Sequence, residues 1–156
     1  MLPICNVQIK AHKPCYIRYP DKDDKSLGAE LKRRRLVLEW RQGRCAEYFE
    51  VYKDSYQKWE WNKIIPDIKK RKYVNEFLDF NFWDDDSISL SNSVLLFRVE
   101  YKLTMLELAI KISVSASTIE RIENNSSLIS DEMRRKIKSY IQNFESEQKV
   151  LLPRNM

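Results

Sequence analysis

Two stretches of this chain carry the same side-chain pattern at a constant offset of 63 positions, and that repeat limits its architecture more than any other feature. Residues 104–125 read TMLELAIKISVSASTIERIENN, and residues 41–62 read RQGRCAEYFEVYKDSYQKWEWN. Without a gap, Ala46 falls on Ala109, Val51 on Val114, Ser55 on Thr118, Tyr56 on Ile119, Trp59 on Ile122, Glu60 on Glu123 and Asn62 on Asn125. Apolar positions three and four apart on either side of a short break are the spacing of two short helices joined by a tight turn. Small Ala46 and Ala109 let those helices cross closely, while Val51 and Val114 plug the turn.

The rest of the chain extends the same reading. Pro3, Pro14 and Pro20 keep residues 1–25 extended, and Ser26 is placed to cap a helix whose first turn holds Glu30. Helices are predicted at about 27–38, 42–49, 53–62, 66–71 and 72–80, then at about 89–101, 105–112, 116–124 and 131–145. The expected fold is all-α: an extended basic arm (1–25), a first helix-turn-helix module (26–82), a second (87–146) and a C-terminal tail (147–156). Neither glycine nor proline occurs between Pro66 and Pro153. The link at residues 81–87 is short and apolar through Phe82 and Trp83, so the modules should pack together.

These residues resemble the lambda-repressor-like (XRE-type) helix-turn-helix family. The likeness runs through Lys13 and Pro14, Tyr19 and Pro20, Ser26, Leu27 and Gly28, the run Arg33, Arg34, Arg35 and Leu36, then Gln42, Ala46, Val51, Trp59, Glu60, Ile65 and Pro66, and the closing Phe77, Leu78, Asp79 and Phe80. It implies two tandem lambda-repressor-like modules in a transcriptional regulator, a repressor in the first instance. Two positions depart from the pattern. Glu50 and Ser113 stand where the family turn usually has glycine, so strain or a reshaped turn is expected. Met105 replaces the glutamine that Gln42 retains.

In a helix-turn-helix the second helix enters the major groove with its first residues facing base edges. The base-facing candidates are therefore Lys53, Asp54, Gln57 and Lys58 in the first module and Ala116, Ser117, Glu120 and Arg121 in the second. Arg121 can grip guanine through two bonds, and Gln57 and Lys58 can read adenine and guanine. Lys32, Arg33, Arg34 and Arg35, with Gln42, Lys69, Lys70, Arg71, Lys72 and Thr104, are the candidates for the DNA backbone. Lys10, Lys13 and Arg18 in the arm would follow a minor groove. Trp59 and Ile122 read as core. Glu60 and Glu123 read as holding the helix end or as partners of a nearby arginine, such as one of the run at 33–35 in the first module.

Charge is distributed to match. Residues 1–82 hold 18 Lys and Arg against 12 Asp and Glu, and residues 83–156 hold 10 against 11, so the first half should carry most of the salt-sensitive attraction to phosphate. No run of eighteen apolar residues occurs, and the first ten residues lack a signal-peptide plan. A cytoplasmic, nucleoid-associated bacterial protein that does not engage a membrane is expected. Its expected partner is double-stranded DNA, with a homodimer also compatible.

Other chemistry finds little support. Cys5, His12 and Cys15, with distant Cys45, do not form the two close ligand pairs of a structural zinc site, so no metal and no cofactor are expected. One histidine and no nucleophile–base arrangement argue against an enzyme. Residues 84–86, three aspartates, read as a solvated linker rather than a nuclease centre. The alternative is a protein-interaction adaptor or antitoxin-like partner that keeps the fold, suggested by the aromatics of the first module, the near-neutral second half and the apolar stretch at 150–153. A recombination or mobile-element accessory factor would use the same DNA contacts as a repressor.

Overall fold

The computed structural model describes residues 19–151, with side chains as far as residue 148. Eight helices and no strand occupy the described residues: α1 (Leu27–Val37), α2 (Gln42–Tyr48), α3 (Lys53–Glu60), α4 (Ile68–Leu78), α5 (Leu90–Glu100), α6 (Met105–Ile112), α7 (Ala116–Glu123) and α8 (Asp131–Leu151). The fold class is all-α, as expected. Helices α1 to α4 begin at residues 27, 42, 53 and 68, and α5 to α8 at 90, 105, 116 and 131, so each start in the first half recurs 63 residues later.

The connections repeat as well. Left-handed residues at Glu39, Glu50 and Asn62 (φ 55°, 52° and 54°) have counterparts at Lys102, Ser113 and Asn125 (φ 54°, 57° and 53°). For non-glycine residues that conformation costs about 1–2 kcal/mol, less for asparagine. The turns at Glu50 and Ser113 are therefore strained rather than reshaped. Val51 and Val114 follow them, each donating its amide to the alanine carbonyl five residues back, Ala46 and Ala109, at 2.9 Å.

Local sequence sets the helix starts. Ser26 and Ser89 stand extended ahead of α1 and α5, and their hydroxyls accept from the amides of Ala29 (3.4 Å) and Asn92 (3.1 Å). Asp67, Thr104 and Ser115 cap α4, α6 and α7 in the same way. Residues 66–71 and 72–80, expected as two helices, form the single helix α4. Asp67 caps its start, no breaker interrupts the basic run, and the ladder stops only at left-handed Asp79 (φ 67°). Helix α8 likewise passes residue 145 and ends at Leu151, so the expected separate tail at 147–156 begins inside a helix.

Two hydrophobic cores result. Leu27, Leu31, Cys45, Ala46, Phe49, Tyr56, Trp59, Val74, Phe77 and Leu78 form the first, and Val94, Phe97, Leu108, Ala109, Ile112, Ile119, Ile122, Ile129, Ile137 and Ile141 the second. The backbone register is shared but the filling is not. Phe49 lies 5.2 Å from Phe77 and 5.5 Å from Trp59 between ring centroids, whereas the second core is aliphatic at the matching α6 and α7 positions.

The two halves are joined as the link predicts. Phe82 and Trp83 pack on the first core, and α4 packs against α5. The Arg71 guanidinium lies 4.3 Å over the Trp83 ring, Lys72 pairs with Glu100 at 2.6 Å, Lys69 with Glu107 at 3.2 Å, and the Lys102 ammonium donates to the Tyr73 hydroxyl at 2.7 Å. No helix among the described residues is long and apolar enough to cross a membrane.

Candidate nucleic-acid interface

The face formed by α2, the turn after it and α3 begins from a buried ion pair. Arg35, on α1, meets Glu60, at the end of α3, at 2.5 Å, with Glu60 almost fully buried. Arg98 and Glu123, 63 residues on, form the same pair at 2.5 Å, and both arginines also donate to a loop carbonyl, Arg35 to Trp40 and Arg98 to Leu103. The pairing expected for the two glutamates is thus made in both halves. Removing one partner from such a pair leaves an uncompensated buried charge, at a cost of about 3–5 kcal/mol, so these pairs fix how α3 and α7 sit against α1 and α5.

In the first half the network reaches the surface. Gln42 donates its amide to Glu60 at 2.8 Å and accepts from the Gln57 amide at 2.9 Å. Gln57, a base-reading candidate, is therefore oriented by a chain running back to Arg35. Asp54 and Lys58, two other candidates, pair with each other at 2.6 Å while both remain well exposed. A surface pair of that kind contributes about 0–1 kcal/mol and opens readily to a competing anion. Lys53 is exposed and has no ion-pair or hydrogen-bond partner among the described residues.

In the second half Ser117, Glu120 and Arg121 are exposed on α7 and Ala116 is half-buried against the core. Ser117 shares a 2.9 Å hydroxyl contact with the capping Ser115. Met105, where Gln42 stands in the first half, packs on the core, so no polar chain reaches Glu120 as one reaches Gln57.

The backbone-contact candidates divide. Arg33 binds Glu30 and the carbonyls of Asp21 and Asp24, Arg34 donates to the Phe77 carbonyl at 2.8 Å, and Arg35 is the buried pair just described. Only Lys32 of that run is without an ion-pair or hydrogen-bond partner among the described residues. Lys69, Lys70 and Lys72 pair with Glu107, Glu50 and Glu100, and Arg71 is packed between Trp83 and the Pro66 carbonyl. Burial, then the neighbouring Arg98 guanidinium, pulls the Arg71 pKa below its ordinary value. The structure thus gives Lys69 and Lys72 a part in joining the halves, while Lys70 and Arg71 are engaged within the first half and its link. Thr104 is half of a capping box: its hydroxyl accepts from the Glu107 amide at 3.1 Å, and its own amide donates to the Glu107 carboxylate at 2.7 Å. That capping, with Lys69 nearby, holds the Glu107 carboxyl down at about 2.

One cation that sequence reasoning passed over is Arg41, the exposed residue immediately before α2. Its signal was present in the sequence, a lone arginine adjoining Gln42 at the start of the motif. Tyr56 and Cys45 of this half serve the core. Burial pushes the Cys45 thiol up and the Tyr56 phenol far above its ordinary range, and the Tyr56 hydroxyl has no hydrogen-bond partner among the described residues. Cys5, His12 and Cys15, and the arm residues Lys10, Lys13 and Arg18, lie outside the described residues. Among the described residues no three His, Cys, Asp or Glu side chains converge as metal ligands. Set against family models, curated proteins and solved structures, the chain matches none.

Proposed function

We propose that this chain is a sequence-specific double-stranded-DNA-binding transcriptional regulator of the lambda-repressor-like (XRE) kind, acting as a repressor, with α3 and α7 as its two recognition helices. The observation that carries the reading is the repetition, at 63 residues, of helix starts, left-handed turn residues and the buried Arg–Glu pair around a short helix that keeps candidate side chains exposed near its start, Lys53 and Asp54 on α3 and Ser117 on α7. A second helix held rigidly with its N-terminal side chains free is what major-groove reading requires. The exposed Arg121 and the Gln42-oriented Gln57 are suited to guanine and adenine.

The test is selection of bound sequences from a random duplex library by the purified protein, at low and near-physiological salt. An enriched motif that persists at the higher salt supports the proposal, and retention without sequence enrichment at both salts counts against it. A protein-contact role is favoured by one observation: Leu106 and Ile110 are exposed one turn apart on α6, where the first half has Gly43 and Glu47. Of the aromatics around α3, Trp59 is a core residue and does not favour it, while Tyr52 and Trp61 are exposed.

A further inference from the structure

An open groove of about 490 Å³ lies on the first half where α1 meets the starts of α2 and α3. Lys32, Arg41 and Lys53 line it, with Gln42 and Trp61 between them and Glu60 at its base. The three cations come from three different elements and none has an ion-pair or hydrogen-bond partner among the described residues. The single carboxylate there is already neutralised, because Glu60 is buried and bound by Arg35 and Gln42. Three unpartnered cations around a polar floor hold a positive potential with no internal anion to relieve it, which is the electrostatic requirement for a phosphate-bearing strand.

The second half has no such groove chemistry. At the same offset of 63, Lys32, Arg41, Lys53 and Gln42 become Leu95, Thr104, Ala116 and Met105. Thr104 is committed to its capping box, and Met105 and Ala116 pack on the core. The backbone register is the same in both halves, so the difference is one of side chains on equivalent scaffolds. Only Arg121 remains as an unpartnered cation among the residues proposed to face DNA in that half.

We infer that the groove of Lys32, Arg41 and Lys53 is a docking site for consecutive phosphodiesters of one DNA strand, and that the first half is the chain's principal anchor on a duplex. This rests on the DNA-binding reading and deepens it: α7 can present Arg121 to bases, but the second half contributes no comparable strand anchor. The groove also sits beside Gln57 through the Gln42 bridge, so strand docking and base reading belong to one rigid surface.

The experiment measures duplex affinity of the full chain against salt concentration, for the parent and for three variants. Each neutralised phosphate contributes about 0.9 to the slope of log affinity against log salt. Lys32→Ala/Arg41→Ala/Lys53→Ala should lower the slope by about 2.7, three contacts' worth, and Arg121→Ala by no more than about 1. The charge-keeping Lys32→Arg/Arg41→Lys/Lys53→Arg should retain the parent slope. Circular dichroism separates folding from binding, and the mutated side chains make no internal bonds to lose. A parent slope left unchanged by the triple alanine variant, or one reduced more by Arg121→Ala, overturns the groove while leaving DNA binding in place. A parent that binds no duplex at any salt overturns both.

Discussion

At Gly28 a Cβ would stand 2.3 Å from the Glu60 carbonyl oxygen and 2.9 Å from the Asn62 amide nitrogen. That contact is with backbone, which cannot rotate away. Its equivalent 63 residues later is Ser91, whose hydroxyl donates to the Glu123 carbonyl at 2.7 Å. The same approach of a first helix to the end of a third is thus handled in two ways, by removing the side chain in one half and by hydrogen-bonding it in the other. Gly28 also donates its amide to Asn62 at 2.8 Å, and Asn62 donates to the capping Ser26 at 2.9 Å, so a shift of α1 would disturb its own cap. Gly28→Ala should therefore destabilise by about 1–3 kcal/mol, as overpacking does, and Ser91→Ala by only about 1 kcal/mol, the net worth of one hydrogen bond. Urea unfolding of the two variants beside the parent decides it. Equal losses would mean that the approach at Gly28 relaxes freely.

Helix α6 offers a pH signature that no other helix start in the described residues carries, because only there is the capping box complete. The Glu107 carboxyl falls from its ordinary 4.5 to about 2, chiefly through the bonds from Thr104 and then from Lys69. A carboxyl depressed on folding is protonated first in the unfolded chain, so its stabilisation is complete above about pH 4.5 and is lost as pH falls toward 2. Glu107→Gln should accordingly lower the thermal midpoint at neutral pH, and the gap from the parent should narrow as pH drops from about 5 to 2. A gap independent of pH would show that the carboxylate charge is not what the cap uses. This element also shows what sequence could and could not reveal. The starts of α2, α3, α6 and α7 were legible because apolar spacing and short polar breaks are local signals, and pairing with an arginine of the 33–35 run was legible as one of two roles for Glu60, because a carboxylate beside phosphate needs a cation, but not that Arg35 would be the one. The engagement of Arg33, Arg34 and residues 69–72 was not. Polarity says that a side chain seeks partners but not which distant carboxylate or carbonyl the fold will bring. The single helix α4 was hidden by the same basic run, which has no apolar spacing across residues 69–72 to bridge its two ends.

Whether the two halves unfold as one body follows from where they touch. They have separate cores, yet α4 lies on α5, Trp83 covers the first core, and Arg71 is held between that ring and the neighbourhood of the Arg98–Glu123 pair. The exposed cross-links Lys72–Glu100 and Lys69–Glu107 contribute little by themselves. The buried part of the junction carries the coupling, since opening it would expose the faces that α4 and α5 pack against each other. All four tryptophans, Trp40, Trp59, Trp61 and Trp83, belong to residues 40–83, so tryptophan emission reports the first half and the link while helicity reports both halves. Leu108 lies fully buried in the second core, and Leu108→Ala should cost about 2–5 kcal/mol there. If the molecule unfolds as a unit, that loss appears in tryptophan emission at the same denaturant midpoint as in the far-ultraviolet signal, because the reporter cannot unfold apart from the damaged core. An early helical transition with the emission midpoint held at the parent value would instead mean two independent bodies. A docked first half would then leave the second free to open while DNA is bound.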